Sequence, residues 1–114
     1  MSEMLTIVKQ LGQLSRDLDD AVKKLGEYEE AAVDAEGEYK VAFSRAFRAA
    51  QGGVEERKQL ATAETDDLWR IWGKAAALVR LQKEHVKALH ARIDVGRTIQ
   101  STARAEMQLA GGQL

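Results

Sequence analysis

The sequence predicts an all-α fold: a long antiparallel helical hairpin, coiled-coil-like, that self-associates into a helical bundle. Composition favours long helices over a β-sandwich or barrel, since proline is absent, aromatic residues make up 5% of the chain and charged residues 31%. An apolar stripe with steps of three or four residues fills the first half, and a glycine pair separates it from a second helical pattern. At 114 residues the chain has the size of a single domain.

The first helix is predicted over residues 3–50. Its apolar residues fall on one face, as the a and d positions of a coiled coil do. These residues are Met4, Ile7, Leu11, Leu14, Leu18, Ala21, Leu25, Tyr28, Ala32, Ala35, Tyr39, Ala42, Ala46 and Ala49. A stripe about two residues in seven wide needs something to pack against. Gly12, Gly26 and Gly37 each cost about 1 kcal/mol relative to alanine, so packing must hold this helix.

A turn is predicted at residues 51–54, because Gly52 and Gly53 are of the type that ends helices. The second helix is predicted over residues 55–110. This helix could start at either of two positions. One is near Val54, where the sequence is already compatible with a helix, and the other follows Thr65, which opens an N-cap signal, Thr-Asp-Asp. The predicted packing and oligomerisation seam draws on both helices. It consists of Leu11, Leu14, Leu18, Leu25, Leu68, Trp72, Leu89 and Ile93.

The two predicted helices carry opposite charge. Residues 17–38 hold nine acids and two lysines, a net charge of −7. Residues 68–105 hold eight bases and two acids, a net charge of +6. Folding back at the glycine pair would bring much of the two segments together, and charges beside an apolar seam help to set orientation.

Apolar residues outside the seam predict self-association. They are Val8, Val22, Val33, Phe43, Phe47, Trp69 and Val95. A single pair of helices cannot cover them all, so we expect a homo-oligomer, a dimer or a tetramer. Gly73 and Gly96 could mark close helix crossings, because a missing Cβ lets a neighbouring backbone approach.

The sequence gives no sign of catalysis, and we predict a protein that is not an enzyme and holds no cofactor or metal. The absence of cysteine excludes a disulfide framework and a thiolate site. His85 and His90 are five residues apart, about 140° around a helix, so they do not converge on one ion. No nucleophile–base set, phosphate-binding glycine loop or HExxH motif occurs.

We expect a cytoplasmic protein without a membrane partner. No run approaches the roughly 20 apolar residues of a membrane span. The first ten residues, MSEMLTIVKQ, lack the basic and apolar regions of a signal peptide. A net charge of −1 gives the whole molecule no field that would attract DNA or an anionic membrane.

Two surfaces are candidates for binding. Trp69 and the RIDVGR segment, with Arg92, Asp94 and Arg97, are the candidate protein-binding residues, since tryptophan and arginine often anchor interfaces. A basic stripe could instead follow a phosphate backbone. Its residues are Arg80, Lys83, Lys87, Arg97 and Arg104. We favour pairing with the acidic first helix, or solvation, over nucleic acid, because the charges of −7 and +6 nearly cancel.

Residues 36–107 resemble small proteins of tailed bacteriophages and prophages. The resemblance rests on an E-x-x-Y helix, a Gly-Val/Ser-ERK turn and an R-I-D-V-G-R segment. The matching residues are Glu36, Tyr39, Glu56, Arg57, Lys58, Arg92, Asp94, Gly96 and Arg97. Such proteins have no settled activity, but their genes often lie among phage replication and recombination functions. The resemblance therefore implies a phage origin in the host cytoplasm.

The chain is also similar to the WXG100 class of small helical hairpins in its length, lack of cysteine and two-helix plan. That class places Trp-x-Gly in the turn between its helices. Here Trp72 and Gly73 are adjacent and lie inside the second helix. The C-terminal Tyr-x-x-x-Asp/Glu signal of the class is missing too, so this assignment is set aside.

The leading functional hypothesis is a phage-encoded, non-enzymatic helical interaction protein that acts on an unidentified protein partner through protein–protein contacts. One alternative is a nucleic-acid-associated accessory protein of phage replication or recombination that uses the basic stripe. Another is a phage structural or assembly chaperone.

Overall fold

The computed structural model describes residues 2–112 and forms three α-helices over this range. They are α1 (Ser2–Ala49), α2 (Val54–Glu64) and α3 (Asp66–Gly112). No strand occurs in this part of the chain. The all-α fold class and the helical hairpin are thereby confirmed, whereas self-association stays a prediction.

The turn between the two arms occupies residues 50–53, one residue earlier than predicted. The Ala50 N–H still donates to the Ala46 carbonyl at 3.0 Å, which completes the last turn of α1. Gly52 then has φ of +115°, a conformation that L side chains rarely adopt. The Arg57 N–H donates to the Gly53 carbonyl at 2.9 Å and so begins α2.

The second arm differs from the single helix predicted over residues 55–110, because it divides at Thr65. Both candidate start sites are used, one by α2 and the other by α3. Thr65 has φ −104° and ψ 12°, outside the helical region. Its buried hydroxyl donates to the Ala61 carbonyl at 2.7 Å, and its N–H donates to the same oxygen at 3.1 Å. Threonine bonded in this way to the residue four earlier often bends a helix.

The described residues form two compact units. The terminal unit combines residues 2–23 of α1 with residues 83–112 of α3. Its core contains Ala21, Leu89 and Ile93, all of them buried. A Cβ placed on Gly96 would lie 2.6 Å from Leu11 Cδ2, so the missing side chain leaves room for α1 to pack closely.

The turn unit consists of residues 24–82. Its buried side chains are small: Ala35, Ala46, Ala61 and Thr65. Small residues let helices approach closely, and aromatic rings fill the remaining space. The ring of Tyr39 stacks on that of Trp72 with centroids 5.5 Å apart, which pairs α1 with α3 in this unit.

Candidate interaction surfaces

All eight predicted seam residues are packed within the chain. In the terminal unit Leu89 and Ile93 are buried, and Leu11, Leu14 and Leu18 are half-buried. In the turn unit Leu25, Leu68 and Trp72 are half-buried. Because these residues already contact the same chain, any surface for another molecule must come largely from residues outside the seam.

The two tryptophans occupy different environments. Trp72 is half-buried against Tyr39, with 24° between the ring planes. Trp69 is 53% exposed. A tryptophan with an exposed face can serve as an interface anchor, and the structure leaves Trp69 available for that role.

The RIDVGR segment is divided between the core and the surface of the terminal unit. Ile93 is buried and Gly96 faces Leu11. Arg92, Asp94 and Arg97 are exposed, and within residues 2–112 none of these three charged side chains forms an ion pair. The segment therefore fixes helix packing on one side and presents charge on the other.

The basic stripe is exposed along α3. Arg80 belongs to the turn unit, and the other four members belong to the terminal unit. Lys87 forms an ion pair with Glu84 at 3.3 Å. In the described part of the chain, Arg80, Lys83, Arg97 and Arg104 have no acidic partner within ion-pair distance. These bases are solvated and do not pair with α1.

The ion pairs of residues 2–112 all lie within single helices. They join Lys24 to Glu27, Lys40 to Glu36, Arg70 to Asp66 and Lys87 to Glu84, over distances of 2.6 to 3.7 Å. In neither unit does an ion pair connect α1 with α3. The expected electrostatic pairing of the two arms is therefore not observed, because the acids and bases are mostly exposed and pair three or four positions along their own helix.

Large apolar side chains remain exposed in both units. In the terminal unit they are Leu5, Val8, Val22, Val95, Ile99, Met107 and Leu109. In the turn unit they are Val33, Val41, Val54, Leu60, Trp69, Ile71, Leu78 and Leu81. Their exposure ranges from 45% to 70%. Phe43 and Phe47, which the sequence also placed outside the seam, are half-buried and stack on each other with centroids 6.4 Å apart.

Sequence reasoning gave no structural role to Arg57, which joins α2 to the end of α1. Its Nε and Nη2 donate to the Phe47 carbonyl at 3.2 and 3.0 Å. Its guanidinium also lies 4.5 Å from the centroid of the Phe47 ring. The last carbonyls of a helix lack partners within the helix, and Arg57 supplies one of them with two donors. A bond to a main-chain oxygen leaves no pattern in the sequence that could have revealed it.

The two histidines do not form part of a metal-binding cluster in the described residues. His85 and His90 are exposed. Over residues 2–112, no three metal-binding side chains come together. No helix in the same range has both the length and the apolar character required of a transmembrane segment.

The chain matches no protein-family model, and searches of curated proteins and of solved structures find no significant match.

Proposed function

We propose that this protein is a non-enzymatic helical interaction protein, cytoplasmic and homo-oligomeric, that acts through protein–protein contacts. One observation carries the proposal: the predicted seam residues are packed within the chain, while within residues 2–112 fifteen large apolar side chains stay exposed, seven in the terminal unit and eight in the turn unit. Scattered exposed apolar residues are common, but rows of them on helical surfaces are typical of surfaces that bind another helix.

Size-exclusion chromatography with light scattering, with and without DNA, tests this function. We expect a mass two or four times the chain mass of 12.6 kDa, unchanged by DNA. A mass equal to one chain over the whole accessible concentration range would contradict the oligomer. Co-elution with DNA would contradict a function through protein–protein contacts and would favour the nucleic-acid-associated function described next.

The second candidate is a nucleic-acid-associated accessory protein, and the unpaired bases of α3 favour it. Each phosphate contact of a lysine or arginine adds about 0.9 to the slope of log affinity against log salt on duplex DNA. Replacing Lys83, Arg97 or Arg104 by glutamine should therefore lower that slope by about 1 each. Lys9→Gln, on α1, is the matched control. Binding without a salt slope would exclude the basic stripe.

A phage origin is proposed on the sequence resemblance alone. A structural or assembly chaperone of a phage particle is the third candidate under that origin. The neighbouring genes discriminate among the candidates, because replication genes favour the nucleic-acid role and tail or capsid genes favour the chaperone.

A further inference from the structure

An exposed face of α3 in the terminal unit carries a regular row of residues, which we call the α3 flank. It consists of His85, Ala88, Arg92, Val95, Ile99, Thr102, Glu106 and Leu109. Their steps alternate between three and four, so they lie on one side of the helix. All eight are exposed. Most of them immediately precede a residue of the packed α3 face, such as Leu89 or Ile93, so the flank lies beside the seam.

If two copies of α3 lie antiparallel and meet at Ile99, the α3 flank of one copy faces chemically complementary residues of the other. Arg92 and Glu106 lie seven residues before and after Ile99, roughly 10 Å away along the helix in each direction. Val95 and Thr102 lie closer on either side, and Ala88 and Leu109 lie farther out. Between Ala88 and Leu109, small or apolar residues thus face one another, and Arg92 faces Glu106, while His85 has no counterpart in the row.

Arg92 and Glu106 are both free to meet another molecule. Neither forms an ion pair within the residues that the structure describes. Two helices related by a twofold axis at Ile99 would form two equivalent Arg92–Glu106 pairs. A parallel arrangement would instead place like charges together, so charge selects the antiparallel one.

A groove beside the centre of the α3 flank offers a surface on which a second copy of the chain can pack. Its walls are Ile7, Gln10, Leu11 and Leu14 of α1 and Arg92, Val95, Gly96 and Ile99 of α3. Val95 and Ile99 are exposed at its edge. The groove and the centre of the reversed pairing therefore coincide at Ile99.

We infer that the α3 flank binds a second copy of this chain, with the two α3 helices antiparallel about a twofold axis at Ile99. This inference rests on the proposed function and names the surface and the partner. Such a contact is isologous, because the same residues serve both copies. Eight side chains per copy are fewer than the about 20 to 30 of a standard interface, so the dimer should dissociate on dilution.

Charge reversal on the full chain, measured by analytical ultracentrifugation, tests this contact. Arg92→Glu and Glu106→Arg should each weaken the dimer by about tenfold or more, because each change creates two repulsive pairs. An equimolar mixture of the two variants should associate about as well as the original chain, since each altered residue then faces an opposite charge. The doubly substituted chain should recover for the same reason.

Lys23→Glu, at an exposed position of α1 in the terminal unit, is the matched control. It makes the same change of charge away from the α3 flank, and it should leave the dissociation constant within about threefold. Circular dichroism of every variant checks that the helices persist. Ile99→Lys places two like charges on the axis and should abolish the dimer, whereas Ser101→Lys, at an exposed position on the opposite side of α3, should not.

The possible outcomes separate this inference from the proposed function. Weakening by both single changes, with recovery in the mixture, supports the α3 flank. If neither Arg92→Glu nor Glu106→Arg changes the dissociation constant of the oligomer, the α3 flank is not the contact surface, and the proposed function still stands. A single-chain mass for the unaltered protein over the whole accessible concentration range overturns both.

Discussion

A glycine within a long helix has an effect that depends on what its missing Cβ would contact. A Cβ on Gly73 would have no atom within 4 Å outside its own helix, whereas one on Gly96 would clash with Leu11. Both glycines were candidates for close helix crossings. Contact is seen at Gly96, and Gly73 lies in open space, so only Gly96 has a packing reason to lack a side chain.

Gly96→Ala should lower the free energy of unfolding by about 1–2 kcal/mol, because crowding at Leu11 outweighs the gain in helix propensity. Gly73→Ala is the control and should raise it by up to about 1 kcal/mol. Urea unfolding followed by circular dichroism measures both. In a Leu11→Ala background Gly96→Ala should become stabilising, and failure to do so would show that the crowding has another source.

At the scale of elements, the short helix α2 packs against the rest of the turn unit through one of its faces. Arg57, Ala61 and Thr65 recur every four residues, and all three contact the rest of the turn unit or are buried in it. The other residues of α2 are exposed. The position of α2 therefore depends on these three side chains and on the turn that precedes it.

Gly52→Ala should lower the free energy of unfolding by about 1–2 kcal/mol or more, because φ of +115° strains any residue with a Cβ. The new Cβ would also meet the Glu56 side chain. Gly53→Ala is a close control, since Gly53 has φ −70° and open space around its Cβ position. Thermal unfolding compares the two, and equal melting temperatures would mean that the turn adopts another conformation in solution.

At the scale of the whole molecule, the packed face of α1 was predictable and the electrostatics was not. Thirteen of the fourteen predicted stripe residues are buried or half-buried, and Ala49 is exposed. The period of apolar residues determines which side of a helix must be covered. Charged side chains follow no such constraint, since exposed pairs contribute little, and the opposite charges of the two arms did not predict ion pairs between them.

The candidate binding surface was only partly visible in the sequence. Arg92 and Trp69 stood out by residue type, and both are exposed. The α3 flank did not stand out, because charged residues interrupt its apolar members. It became evident only when the structure showed which neighbouring face of α3 is packed and which is free.

Leu18→Asp should lower the free energy of unfolding by about 3 kcal/mol or more, because it places a charge in the packed face of the terminal unit. Val22→Asp introduces the same residue one turn later at an exposed position and should have little effect. Circular dichroism during heating gives both midpoints. Similar midpoints for the two variants would show that Leu18 is not packed as described.

The contact of Arg57 with Phe47 has a consequence for the order of folding. These residues are only ten positions apart, whereas Leu11 and Gly96 are separated by 85. Closing a short loop loses less chain entropy than closing a long one, so the contacts next to the turn should form first. The two arms are then expected to pair progressively from the turn towards the chain ends, with the terminal unit assembling last and opening first.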